Sequence, residues 1–287
     1  LQVTPPASDV AGAEPPPAGA ALWHAFPKGA LAGNFLHDQL EWLAQEGEAA
    51  GVGDGEGSGF ADPRDEVVQA ALRRRCARGG HGERADAVVD WLTRLLYTPL
   101  PQLGAPLGAL RLLRPELEFW MPSAGLRSQA LDAACLAHLL PGRPRPVLPP
   151  RQLQGLLMGF ADLVFEHSGR YWVLDYKSNA LGTDESAYHP AALEQAMLAH
   201  RYELQAGLYL LALHRLLRAR LGSGYDPARQ LGGAVYLFLR GIAAPGAGCV
   251  HLPATPALLD ALDACLAGEG EGEGEGEGEA LAEGAPA

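Results

Sequence analysis

Asp162, Asp175 and Lys177 are the residues of this chain most able to do chemistry together. They lie in LLMGFADLVFEHSGRYWVLDYKSN, residues 156–179, where two apolar runs flank a Ser-Gly turn. Strand side chains alternate with period two, so Asp175 and Lys177 project from one face while Tyr176 points to the other. A hairpin closed by Ser168, Gly169 and Arg170 sets Asp162 across from Asp175. Two carboxylates and an ammonium at one spot can hold a divalent cation and activate a water. The plainer alternative is a solvated lysine at a strand end, paired with a nearby aspartate.

The lysine is itself informative. Of 22 basic residues only Lys28 and Lys177 are lysine, so arginine is this chain's default cation. A guanidinium cannot give up its proton, whereas an ammonium beside a metal-bound water can have its pKa shifted to suit proton transfer.

The elements that must position these residues follow from periodicity. A helix is predicted over 30–46, with Leu36, Leu40 and Leu43 on one stripe and His37 and Glu41 a turn apart, followed by a Gly-rich loop over 47–59. Helices are expected over 64–78 and 84–97, and a strand over 113–122, in which Glu116 and Glu118 alternate with Leu117 and Phe119. Residues 126–140 read as helix, and the proline-rich 142–152 as loop. After the hairpin come one long helical run over 190–220, a strand over 234–240 and a last helix over 255–267. On the long run, Arg201, Gln205 and Tyr209 fall one turn apart and present polar groups along one face. Taken singly, that stripe is an ordinary polar helix face, and His37 an ordinary packed histidine.

Composition sets limits. With 287 residues, 48% hydrophobic and 20% charged, the chain can bury one sizeable core. It holds no apolar run long enough to span a bilayer and no signal-peptide order at its start, so a cytoplasmic protein is expected. The Pro- and Ala-rich residues 1–21, beginning without methionine, read as a disordered linker from a longer chain. The Gly-Glu repeat of 268–287 reads as a disordered tail. That tail carries seven glutamates, more than half of the formal net charge of −12, so bulk charge gives no sign of nucleic-acid binding. Cys76, Cys135, Cys249 and Cys265 have neither zinc-like nor disulfide-framework spacing. The absence of a Gly-x-x-x-x-Gly-Lys loop argues against ATP hydrolysis by this chain alone.

Taken in order, His37, Glu118, Gly159-x-x-Asp162, Asp175-Tyr176-Lys177 and Gln205-x-x-x-Tyr209 resemble the RecB-type nucleases of the PD-(D/E)xK superfamily. So do the blocks AFPKGALAGNFLHDQLE, AMLAHRYELQAGLYLLALHRLL and YDPARQLGGAVYLFLRG, over about residues 22–266. The resemblance implies an α/β, restriction-endonuclease-like fold with a mixed central sheet flanked by helices, filling 22–267. It implies His37, Asp162 and Asp175 as ligands of magnesium, with the backbone carbonyl of Tyr176 as an optional further ligand. Asp162, Asp175 and Lys177 would then be catalytic, Lys177 orienting and helping to deprotonate the attacking water. Gln205, Tyr209, Glu118 and Arg201 would support the site or the DNA phosphate. Manganese is an alternative cofactor, calcium would bind without supporting cleavage, and the cysteine spacing differs from that of relatives carrying an iron-sulphur cluster, so none is expected. The implied partners are single-stranded DNA, RecC-like and RecD-like subunits and an upstream helicase region, in double-strand break repair and recombination. The alternative is a catalytically silent DNA-binding or docking module with the same fold.

Overall fold

The computed structural model describes residues 21–49 and 59–267. The Gly-Glu tail, the linker apart from Ala21, and most of the Gly-rich loop therefore lie outside the described residues. In chain order the elements are α1 (Ala30–Ala49), α2 (Glu66–Arg78), α3 (Ala85–Tyr97), β1 (Pro99–Leu100), β2 (Ala105–Pro106), β3 (Arg111–Arg127) and α4 (Ser128–His138). They continue with β4 (Gln152–His167), β5 (Arg170–Lys177), α5 (Pro190–Ala199), α6 (Tyr202–Leu221), α7 (Pro227–Gln230), β6 (Leu231–Phe238), β7 (Cys249–Leu252) and α8 (Pro256–Ala267).

Five strands form one sheet in the order β3-β4-β5-β6-β7, parallel only between β5 and β6 and antiparallel elsewhere. This is the mixed sheet expected. Its two faces carry separate cores. On one, Leu36, Leu40 and Leu43 of α1 meet α2, α3 and the inward residues Leu174, Tyr176, Val235 and Leu237. On the other, α4, α5, α6 and α8 cover Val173, Ala234, Tyr236 and Phe238. Helices on both faces bury β6 along its whole length, which is why it reads as an unbroken apolar run rather than an alternating one. Among the described residues, no helix is long and apolar enough to cross a membrane.

The hairpin closes as its sequence suggests. Ser168 and Gly169, with φ of 54° and 76°, make the two-residue turn whose twist matches that of the flanking strands. The pairing Leu163↔Leu174, carried one step further, sets Asp162 opposite Asp175.

The helical run over 190–220 is two helices rather than one. Arg201 breaks it with φ of 56°, a left-handed conformation costing an ordinary residue about 1–2 kcal/mol. Buried charge holds it there: the Arg201 guanidinium reaches Glu203 at 2.7 Å, Asp132 at 2.5 Å and the Pro146 carbonyl at 2.7 Å. Arg145 joins the cluster 3.4 Å from Glu203. Sequence spacing missed β7, only four residues long, and the paired segments β1 and β2.

Arg240 ties the layers together. It is 1% exposed, and its guanidinium donates to the carbonyls of Trp23, His24, Phe26, Pro27 and Ser178. Five acceptors match the five N–H donors of an arginine. The segment entering α1 is thereby fixed against the end of β5, the two elements that must bring their side chains together.

Candidate active site

The carboxylates meet where β4 parts from β5. Asp162 Oδ2 accepts the Tyr176 backbone N–H at 2.7 Å, taking the place of a ladder carbonyl, and lies 3.3 Å from His37 Nδ1. His37 comes from α1, which approaches closely because Gly33 lies one turn before it. A Cβ at Gly33 would stand 2.6 Å from Ser178 Oγ. The Tyr176 ring fills the angle behind the imidazole, edge-on at 5.8 Å between centroids.

Asp175 is 2% exposed. Lys177 Nζ lies 2.5 Å from its Oδ1, pairing the buried carboxylate with an ammonium. The contact is an ion pair by distance. Lys177 also donates to Gln205 Oε1 at 3.0 Å and sits 4.0 Å from the Tyr202 ring centroid. Gln205 is held in turn: its Nε2 donates to the Tyr209 hydroxyl at 2.6 Å, and its Oε1 accepts from the Tyr236 hydroxyl at 3.2 Å. The α6 pair anticipated from spacing thus reaches Lys177 through the amide of Gln205.

Tyr209 is placed from the other side by Phe119, whose ring packs edge-on against it at 5.6 Å. Phe119 fits because residue 159 is glycine. A Cβ there would lie 2.4 Å from the Phe119 ring. The spacing Gly159-x-x-Asp162 therefore links a carboxylate to the room its neighbours need.

Electrostatics divide the two aspartates. Burial and the charge of Asp162 push Asp175 up to about 6, against the pull of Lys177. Burial acts the same way on Asp162, but His37 and Lys177 outweigh it and hold that carboxyl low. Burial works against a charged His37, and Asp162 more than offsets it, so the imidazole is raised. Burial also opposes a charged Lys177; Asp175 and the Tyr202 hydroxyl outweigh it and raise the ammonium. A carboxylate kept ionised beside one that resists ionisation is a pattern characteristic of functional sites.

Two sequence expectations change. Arg201 belongs to the buried cluster with Glu203 and Asp132, not to the face bearing Gln205 and Tyr209, because the helix breaks at that residue. Glu118, exposed like Glu116, pairs across the ladder with Phe160, two residues beyond Asp162. Glu116 stands nearer. The pairs Pro115↔Leu163 and Leu117↔Ala161 place it opposite Asp162. Partial burial and the charges of Asp162 and Glu41 push it up to about 7. Its φ of 47° is invisible to an alternation pattern.

Whether these groups fit a divalent cation can be judged from their chemistry. Among the described residues, no three His, Cys, Asp or Glu side chains converge closely enough to cage a metal as they stand. His37 and Asp162 touch each other, while Asp175 is turned to Lys177. The repulsion between Asp162 and Asp175 that holds the latter up is what a cation would relieve, and oxygen donors with one imidazole suit a hard divalent ion.

A mixed sheet between helical layers, with an Asp and an Asp-x-Lys meeting at a strand junction, defines a class of phosphodiester-cleaving enzymes. A family model described as the PD-(D/E)XK nuclease superfamily matches residues 22–277, and the chain belongs to that superfamily. Within it, the chain is similar to the RecBCD enzyme subunit RecB of Escherichia coli strain K12, 41% identical over 223 residues, which are 76% of this chain and 17% of that protein. It is also similar to the RecBCD enzyme subunit RecB of Mycobacterium tuberculosis strain CDC 1551, 35% identical over 251 residues, 76% of this chain and 21% of that protein. A third relative, the RecBCD enzyme subunit RecB of Haemophilus influenzae, is 37% identical over 163 residues, 55% of this chain and 13% of that protein. The chain spans about a fifth or less of the length of these curated relatives.

Proposed function

We propose that this chain is a magnesium-dependent deoxyribonuclease domain that hydrolyses phosphodiester bonds, mainly in single-stranded DNA, as part of a cytoplasmic RecBCD-type helicase-nuclease. Its setting is double-strand break repair and homologous recombination, beside RecC-like and RecD-like subunits and a helicase region. The observation that carries the reading is the junction of Asp162, Asp175 and Lys177 on paired strands, with His37 delivered to it by a separate layer.

In this reading His37, Asp162 and Asp175 would hold the cation, with the Tyr176 carbonyl as an optional further ligand. Magnesium, or manganese in its place, supplies Lewis acidity and a more acidic bound water; calcium binds without supporting cleavage. The protein does the rest. With Asp175 holding a cation, Lys177 would have less counter-charge, and its ammonium would be more acidic and able to orient the attacking water and take part in proton transfer. Gln205 fixes where that ammonium points, and Tyr209 and Tyr236 fix Gln205.

The test is cleavage of an end-labelled single-stranded oligonucleotide in magnesium by the parent, Asp175→Ala and Lys177→Ala. The parent should cut, and each variant should lose about a hundredfold or more. Equal cutting by all three would overturn the site. No cutting by any would favour a silent binding module.

A further inference from the structure

Beyond the carboxylates, β3 and β4 continue as a two-stranded ribbon over residues 117–127 and 152–161, past the end of their pairing with β5. One set of alternate residues, including Leu117, Phe119, Met121 and Leu157, packs onto the core under α6 and α8. Among the described residues the other set has no such cover. Trp120 is 55% exposed, Leu156 64%, Met158 46% and Phe160 44%. Polar residues normally occupy the outward face of a half-buried antiparallel pair. Here Trp120 lies directly across from Met158, Pro122 across from Leu156, and Phe160 across from Glu118, so the apolar side chains form one ladder. Its near end is Phe160, two residues from Asp162.

We infer that this ladder is a stacking platform for the unpaired bases of the strand being cut. The inference rests on the reading of the chain as a nuclease for single-stranded DNA, and deepens it. A strand whose phosphate lies at Asp162 and Asp175 must send its neighbouring nucleotides somewhere, and the ladder begins two residues from Asp162 along β4. Its composition suits bases: an indole, a phenyl ring and a thioether offer flat or polarisable surface to any base without regard to sequence. Same-face positions repeat about every 6.6 Å along a strand, so successive rungs can serve successive bases. With the bases turned inward the phosphates face solvent, away from Glu118, and Arg151, exposed at the far end of the ribbon, adds favourable charge. Duplex DNA offers no free base faces to such a surface, so the platform selects single strands by its shape.

The test is anisotropy of an end-labelled oligothymidylate bound to the full chain in calcium. The proteins are the parent, the double variant Trp120→Ala with Phe160→Ala, and Trp120→Phe; a matching abasic oligonucleotide serves as a second probe. The double variant should bind oligothymidylate at least about tenfold more weakly, while Trp120→Phe stays within about threefold of the parent. The abasic strand should bind the parent as weakly as oligothymidylate binds the double variant. Because the altered side chains are exposed, the variants should melt with the parent. Equal binding by parent and double variant, no binding of oligothymidylate by the parent, or abasic binding as tight as that of oligothymidylate would overturn the platform. So would a parent that self-associates through Trp120 and Phe160 with DNA binding unaltered, since the face would then join copies of the chain. Magnesium-dependent cutting abolished by Asp175→Ala reports separately on the nuclease reading, whichever way the binding falls.

Discussion

At the scale of single residues, the site crowds carboxylates that repel one another between an imidazole and a buried ammonium. Asp175 and Glu116, held up to about 6 and about 7, resist ionisation beside Asp162. A carboxylate raised in the fold stabilises it below the ordinary carboxylate range, and that contribution is lost as pH rises through the raised value. Ligation needs the ionised form. Calcium should therefore raise the melting temperature little at about pH 5.5 and progressively more up to about pH 7.5. Differential scanning fluorimetry with and without calcium measures this, and a calcium shift that is flat across the range would contradict the assigned ligands. The strand period and the hairpin made Asp162, Asp175 and Lys177 legible together in the sequence, whereas spacing related Gln205 only to Tyr209, and the family resemblance alone joined that pair to the site. Glu116 was not singled out, since alternation puts it and Glu118 on the same face and does not tell which of them lies across from Asp162.

At the scale of elements, what positions the chemistry is close approach. Gly33 lets α1 reach Ser178, Gly159 makes room for Phe119, and Phe119 supports Tyr209. Gly159→Ala should push the Phe119 ring away from Tyr209, costing about 1–3 kcal/mol of stability. It should also slow cleavage by about tenfold through the looser Gln205 and Lys177. Denaturant melts and single-turnover rates test this; a parent-like rate with lowered stability would confine Gly159 to packing. Most elements were foreseen to within a few residues. The break between α5 and α6 was not, because it follows from Arg201 meeting Asp132, a residue 69 positions earlier in the chain, and Pro146. No local period encodes such a contact.

At the scale of the whole molecule, the active centre is shared between layers that the chain visits far apart. His37 arrives from the helices of one face, Gln205 and Tyr209 from those of the other, and the aspartates and lysine from the sheet between them. Arg240 fastens the entry to α1 onto the end of β5, a role the segment AVYLFLRG gave no sign of beyond its apolar strand. The resemblance of separated blocks made the mixed sheet and the site legible together, whereas the uncovered ladder on the ribbon emerged only from knowing which strand residues face solvent. In the proposed nuclease, cleavage requires that residue 177 be lysine. The most direct measurement is single-turnover cleavage of a labelled single-stranded oligonucleotide in magnesium by the parent and by Lys177→Arg, with calcium stabilisation measured on both. The parent should cut, and Lys177→Arg should retain the calcium response while cutting at least about a hundredfold more slowly. Cutting by Lys177→Arg at the parent's rate, or a parent that does not cut, would contradict that reading.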